Sequence, residues 1–409
     1  MTARDWWRAR RKTVATVTAI SLVAGTPLTV AARHPGFPVT DVALTSRDVW
    51  VTNGELLRGG RLNKQIDELN ASVTASSPDF DVLQDGDALF LVDPDNSRLE
   101  SVDPASTAVT SSVDLPPEAE VSYGGDVIAV VSRGQLWALP AVGDLRLDVV
   151  SQPPLLDLGD GGHAVVTRSG EIVAISPEQR TLFRIPTLAD VPSESDFPRI
   201  GEFQLAAIGD RVVALDTSTN QLVLDDGTVR DLGEERALRQ QQSGPDAPSA
   251  VLATSTGLLR VDLGSGSVDV VDADVPATTD LDDIAAPVNQ EGCAHGAWAH
   301  AQRYVFACAG ADAELYDIEQ PTQGDRLEFR VNRTVIALNN LSNGNVWLPA
   351  ENMRLVDNWE DVIPPEQEET EEEGDDTSAL QSFEDTLAER TDQNREPTAL
   401  DDEYGIRPN

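Results

Sequence analysis

Residues 88–102 read ALFLVDPDNSRLESV: an apolar run, the turn Asp93-Pro94-Asp95-Asn96-Ser97, and a second run that is half apolar. Proline fixes φ at the second turn position and an Asp side chain can bond the backbone ahead of it, so the stretch predicts two antiparallel strands joined by a hairpin. The same unit recurs along the chain. It opens at Val49 (VWVTNGELL), Val127 (VIAVVSRGQLWAL), Ala164 (AVVTRSGEIVAI), Val212 (VVALDTSTNQLVL) and Val251 (VLATSTGLLRVDL), and more raggedly near Tyr304 and Val346. Units of about forty residues built from strands cannot bury their apolar faces alone and must stack on one another. The period therefore predicts an all-β fold, a β-propeller of six to eight blades, about seven, over residues 40–357. A pair of β-sandwiches shares the strand-and-turn signature and is the alternative fold. No apolar stripe at helical spacing crosses these units. Only residues 63–69 and 378–390 read as helical.

The first 33 residues bear on location. Arg8, Arg10, Arg11 and Lys12 close a basic segment, 1–12, ahead of about twenty uncharged residues, 13–32. That length can cross a bilayer core, and the basic end is the one expected to stay in the cytoplasm. The segment reads as a transmembrane helix or signal anchor, with a single-pass protein whose bulk is extracytoplasmic. The small residues Val30-Ala31-Ala32 also suit a cleavage site, so secretion after signal cleavage is the alternative.

Charge narrows the partners. The formal net charge is −40 over 409 residues, which argues against nucleic acid, because neutralising phosphates requires a basic surface. Residues 358–409 hold 18 acids against 3 arginines and so supply 15 of those charges. The run 364–376 within them is too charged and too poor in apolar residues to fold. Residues 358–398 are expected to form a disordered acidic linker, and 399–409 to lead into a further module.

Cys293 and Cys308 are the only cysteines. In an exported chain they predict a disulfide. His295 and His300 lie between them, but C-x-H-x4-H-x7-C matches no familiar zinc spacing. All four histidines, His34, His163, His295 and His300, read as turn or surface residues. The chain has no Gly-x-Ser-x-Gly, no phosphate-binding Gly-Lys-Ser/Thr loop and no His-Glu-x-x-His, so no catalytic residue, metal or cofactor is assigned. Asp93-Pro94-Asp95-Asn96-Ser97 lacks the glycine and distal glutamate of a calcium loop and reads as a turn. Trp50, Trp137, Trp298, Trp347 and Trp359 sit in strand patterns, where core packing is a better reading than sugar platforms.

Several stretches together resemble a known family: Arg8-Ala9-Arg10-Arg11-Lys12 with the apolar segment after it, Asp48-Val49-Trp50-Val51-Thr52-Asn53, Gly60-Arg61-Leu62-Asn63, Cys293-Ala294-His295-Gly296-Ala297-Trp298, and above all residues 346–359, VWLPAENMRLVDNW. The chain resembles the N-terminal region of large actinobacterial membrane-anchored proteins with a propeller-like head followed by tandem Ig-like and fibronectin type III modules. In that family a segment like residues 399–409 leads into the first module, so a shortened gene product is expected here. The resemblance implies a non-enzymatic, membrane-anchored scaffold or protein-interaction protein whose partners are cell-envelope proteins or polysaccharide. A carbohydrate-binding or glycan-processing surface protein is the first rival; a ligand-sensing head that needs a membrane partner is the second.

Overall fold

The computed structural model describes residues 48–362, apart from 321 and 323. Eight antiparallel sheets follow one another along the chain: 49–74, 81–114, 120–157, 163–196, 203–231, 237–272, 288–317 and 327–356, numbered here as blades 1 to 8. Blades 2 to 8 have four strands in chain order from the axis outward, and blade 1 has three among the described residues. The helix read at 63–69 is a hairpin instead. Asn63 Oδ1 accepts from the Gln65 amide at 2.9 Å, Asp67 takes a left-handed φ of 54°, and Leu62 pairs with Leu69 across the ladder. A polar turn that satisfies its own backbone outcompetes a single helical turn. The second helical reading, 378–390, lies outside the described residues, as does the segment 1–47.

Eight apolar clusters hold the sheets together, and each joins two neighbouring blades. Val213, Leu215 and Leu222 of blade 5 pack on Ala250, Leu252 and Leu259 of blade 6. Val49, Val51 and Leu62 of blade 1 pack on Val346, Leu348 and Val356 of blade 8. This last pair closes the ring and separates the propeller from two face-packed sandwiches. Because both faces of a blade are covered, its second strand is buried along its length and mostly apolar, as in Ile172–Ser176 and Ser249–Thr254, whose residues are all buried.

Closure also has a polar part. The Asn358 side chain donates to the Leu69 carbonyl and accepts from its amide. Arg58 donates to the Val362 carbonyl at 3.0 Å, and the Trp359 indole N–H donates to Gly344 O at 2.8 Å. A Cβ on Gly60 would fall 2.6 Å from the Trp359 ring, so only glycine fits there. Lys64 and Asp67 of blade 1 form an ion network with Glu351 and Arg354 of blade 8. Hydrogen bonds from Lys64 and Arg354 hold the Glu351 carboxyl down to about 2. The ring thus runs to Val362. Residues 358–362, read from sequence as the start of the acidic linker, belong to it because Trp359 and Val362 bury against blade 1.

Strand order fixes two faces. In each four-stranded blade the turns joining strands one to two and three to four lie on one face, called lower here; the other connections lie on the upper face. Asp48 enters at the lower end, beside the axis, where Gln84 and Asn332 donate to its carbonyl. Val362 sits beside Arg58 and Ser72, at the upper end of blade 1. The described chain enters on one face and leaves on the other.

Candidate functional site

The axis of the ring is lined by the innermost strands and is crossed by a charged network. Arg330 of blade 8, about 5% exposed, reaches Asp81 of blade 2 at 2.5 Å and Glu328 at 3.5 Å. Gln242 of blade 6 crosses to blade 8 and donates to Phe329 O at 3.0 Å. Burial pushes the Glu328 carboxyl up, Asp81 adds to this, and Arg330 and Arg239 oppose it. Buried Arg330 thus ties two half-exposed carboxylates into one wall of the mid-channel cavity of about 340 Å³. The lower mouth, about 330 Å³, is lined by Tyr123, Arg168, Gln290 and Arg333 among others. The guanidinium groups of Arg168 and Arg333, on opposite blades 4 and 8, make no ion pair or hydrogen bond among the described residues. Burial pushes the Tyr123 hydroxyl up to about 12.

A third cavity, of about 340 Å³, lies between blades 7 and 8. Its wall follows from strand register. In blade 7, Cys293 faces Cys308, His295 faces Phe306, Ala297 faces Tyr304, and the outer strand sets Glu314 beside Phe306 and Tyr316 beside Tyr304. Alternation puts all of these on the face turned to blade 8. The other wall is Thr334, Ile336, Pro349, Ala350 and Asn352. His295 Nδ1 lies 2.7 Å from the Tyr304 hydroxyl, and the ring stands 5.1 Å from Phe306 at 58°. Burial alone lowers its pKa to about 4, so the imidazole is neutral at physiological pH. Its Nε2 makes no hydrogen bond within the described chain. The Tyr316 hydroxyl donates to Glu314 Oε2 at 2.5 Å. No Lys or Arg lines this cleft.

The disulfide read from sequence is present: Cys293 and Cys308 are bonded, with Cα atoms 4.0 Å apart. It joins opposed residues of neighbouring strands two register positions from His295 and Phe306, and so pins the strands that carry the cleft. Closing a loop of this length stabilises by roughly 3 kcal/mol. The surface reading of the histidines fails at His295, which is only 6% exposed; the strand alternation that carries Cys293 inward carries it too. His163 opens an inner strand and bonds Glu120 at 2.7 Å. His300 sits in a turn, Nε2 donating to Pro276 O at 2.9 Å, and His34 lies outside the described residues. Asp93 closes its turn as expected, accepting from the Asn96 amide and side chain. Trp50, Trp137, Trp298, Trp347 and Trp359 are all buried. Arg8, Arg10, Arg11 and Lys12 lie outside the described residues. Among the described residues no helix is long and apolar enough to cross a membrane, and no group of three or more His, Cys, Asp or Glu side chains is placed to hold a metal.

No protein-family model matches this chain, and no curated protein matches it. Solved structures match in fold. The dihydro-heme d1 dehydrogenase NirN aligns with a TM-score of 0.55 at 12% identity, over 76% of this chain and 72% of that one. The computationally designed Ika8 protein gives 0.54 at 9% identity, over 75% and 98%. AztD from Citrobacter koseri gives 0.51 at 11% identity, over 76% and 94%. At such identities the likeness concerns the β-propeller alone.

Proposed function

We propose that this protein is a membrane-anchored, extracytoplasmic interaction head of the cell envelope, with the propeller standing in series between an N-terminal anchor and the acidic segment after it. The observation that carries the reading is the placement of the two ends. The described chain begins at Asp48 on the lower face, beside the axis, and ends at Val362 on the upper face. A head tethered through 13–32, with Arg8, Arg10, Arg11 and Lys12 held in the cytoplasm, turns its lower face to the membrane and sends the 363–409 segment away from it. Carboxylate repulsion extends that segment as a spacer. The mid-channel ion network and the closed ring suit a rigid platform for binding cell-envelope proteins. The five buried indole rings offer no face to polysaccharide, which weighs against the glycan reading. The likeness to actinobacterial anchored proteins with Ig-like and fibronectin type III modules agrees with this placement.

The test is accessibility in protoplasts of cells expressing the full chain. Added protease is expected to remove the acidic segment first and then to leave the propeller as a resistant fragment in the membrane fraction. Recovery of the intact chain from the cytosolic fraction, protected from protease, would overturn the proposal.

A further inference from the structure

The cleft between blades 7 and 8 has a chemistry of its own, independent of whether the head is anchored. Its polar groups are acidic or neutral: Glu291, Glu314, Asn352, Gln290 and Thr334. Phe306 and Tyr316 stand partly open beside Glu314. The Tyr304 and Tyr316 rings are tilted by 40° and those of His295 and Phe306 by 58°, so they form inclined walls rather than one flat shelf for a sugar ring. At the base stands His295, 6% exposed, with Nδ1 engaged by Tyr304 and Nε2 left without a partner beside the cavity. Ile336, Pro349 and Ala350 supply an apolar side.

We infer that this cleft binds one organic cation, an alkylammonium or guanidinium group, between Glu314 and the rings of Tyr316 and Phe306, with the ligand's apolar stem against Ile336 and Pro349. Negative carboxylates and the electron-rich faces of aromatic rings both attract a cation, and each gains as water is excluded. An anion finds no lysine or arginine in the lining. A formal charge of −40 over the chain draws cations toward any such cleft. The Cys293–Cys308 disulfide and the Tyr304 hydrogen bond hold the wall in place before binding, which reduces the ordering cost. The same group is carried by free amines and by Lys or Arg side chains of a partner protein.

Titration calorimetry on the full, disulfide-bonded chain tests this with four probes: n-butylammonium, n-butylguanidinium, and acetyl-glycyl-lysyl-glycine amide beside its norleucine counterpart. The lysyl peptide is expected to bind and the norleucine peptide to bind at least about tenfold more weakly. Glu314→Gln at an exposed position and Tyr316→Leu at a half-buried one are each expected to weaken the lysyl peptide about two- to fivefold. Tighter binding of the peptide than of n-butylammonium assigns a protein side chain as the source, and equal binding assigns a free amine. Binding of the norleucine peptide as tightly as the lysyl peptide, unchanged affinity in Glu314→Gln, or no heat from any probe at millimolar concentration would each overturn the inference.

Discussion

His295 is the residue at which burial costs most clearly and is recovered elsewhere. Its ring fills space among Tyr304, Phe306 and Phe329, and that burial holds it neutral down to about pH 4, against an ordinary value of 6.5. A base whose pKa is depressed on folding binds its proton more readily in the unfolded chain. Stability from this residue is therefore complete above pH 6.5 and is lost as pH falls from 6.5 toward 4. At about 1.36 kcal/mol per unit the loss is roughly 3 kcal/mol. Denaturant unfolding of the parent chain and of His295→Gln at pH 7 and pH 4.5 checks the assignment: the parent is expected to lose more stability over that interval, because glutamine does not titrate. Equal losses would mean that His295 is hydrated in the native state. The sequence placed this residue between two cysteines but gave it no side. In a strand packed on both faces, alternation of polar and apolar residues disappears, and with it the sign that one histidine points inward.

At the scale of elements, blade 1 makes a virtue of side-chain amides. Its innermost described strand, Val49–Asn53, presents an edge that no fourth strand covers among the described residues. The Trp50 amide donates to Gln84 Oε1 at 3.0 Å. The Thr52 amide donates to Asn339 Oδ1 at 2.7 Å, and Asn339 Nδ2 donates to the Thr52 carbonyl at 3.0 Å. One carboxamide thus stands in for one rung of a ladder, from a neighbouring blade. Removing it leaves a buried donor and a buried acceptor without partners, each worth about 1–3 kcal/mol. Asn339→Leu, which keeps the volume, is expected to cost roughly 2–4 kcal/mol in urea unfolding; a change within about 0.5 kcal/mol would show that the edge finds other partners. The hairpins were legible because each carries its own turn chemistry, as in Asp93-Pro94-Asp95-Asn96. The surrogate rung was not, since Asn339 and Thr52 lie 287 residues apart and only the closed ring brings them together. Residues 63–69 misled for the opposite reason: a turn rich in Lys, Gln and Asp resembles a helix start until its Asn63 caps it locally.

For the whole molecule, the period of the sequence carries the architecture and the ends carry its coherence. Every blade is stabilised by its two neighbours, so a break at any one interface exposes two apolar faces. Seven of the eight interfaces join blades adjacent in sequence. The eighth, between blades 8 and 1, joins the ends of the chain and rests on Trp359, whose indole covers Gly60, donates to Gly344 and lies in the same cluster as Val49, Leu62 and Val356. That residue sits in a stretch which composition alone assigns to the acidic linker, because charge density says nothing of one buried ring. Truncating it to alanine removes a large buried side chain, at a cost of about 3–5 kcal/mol. The loss should be local before it is global. In Trp359→Ala, amide hydrogen exchange is expected to quicken first in strands 49–74 and 327–356 while blades 4 and 5, on the far side of the ring, keep their protection under native conditions. Equal acceleration in all eight blades would mean that the ring opens as one unit and that the terminal interface is no weaker than the rest.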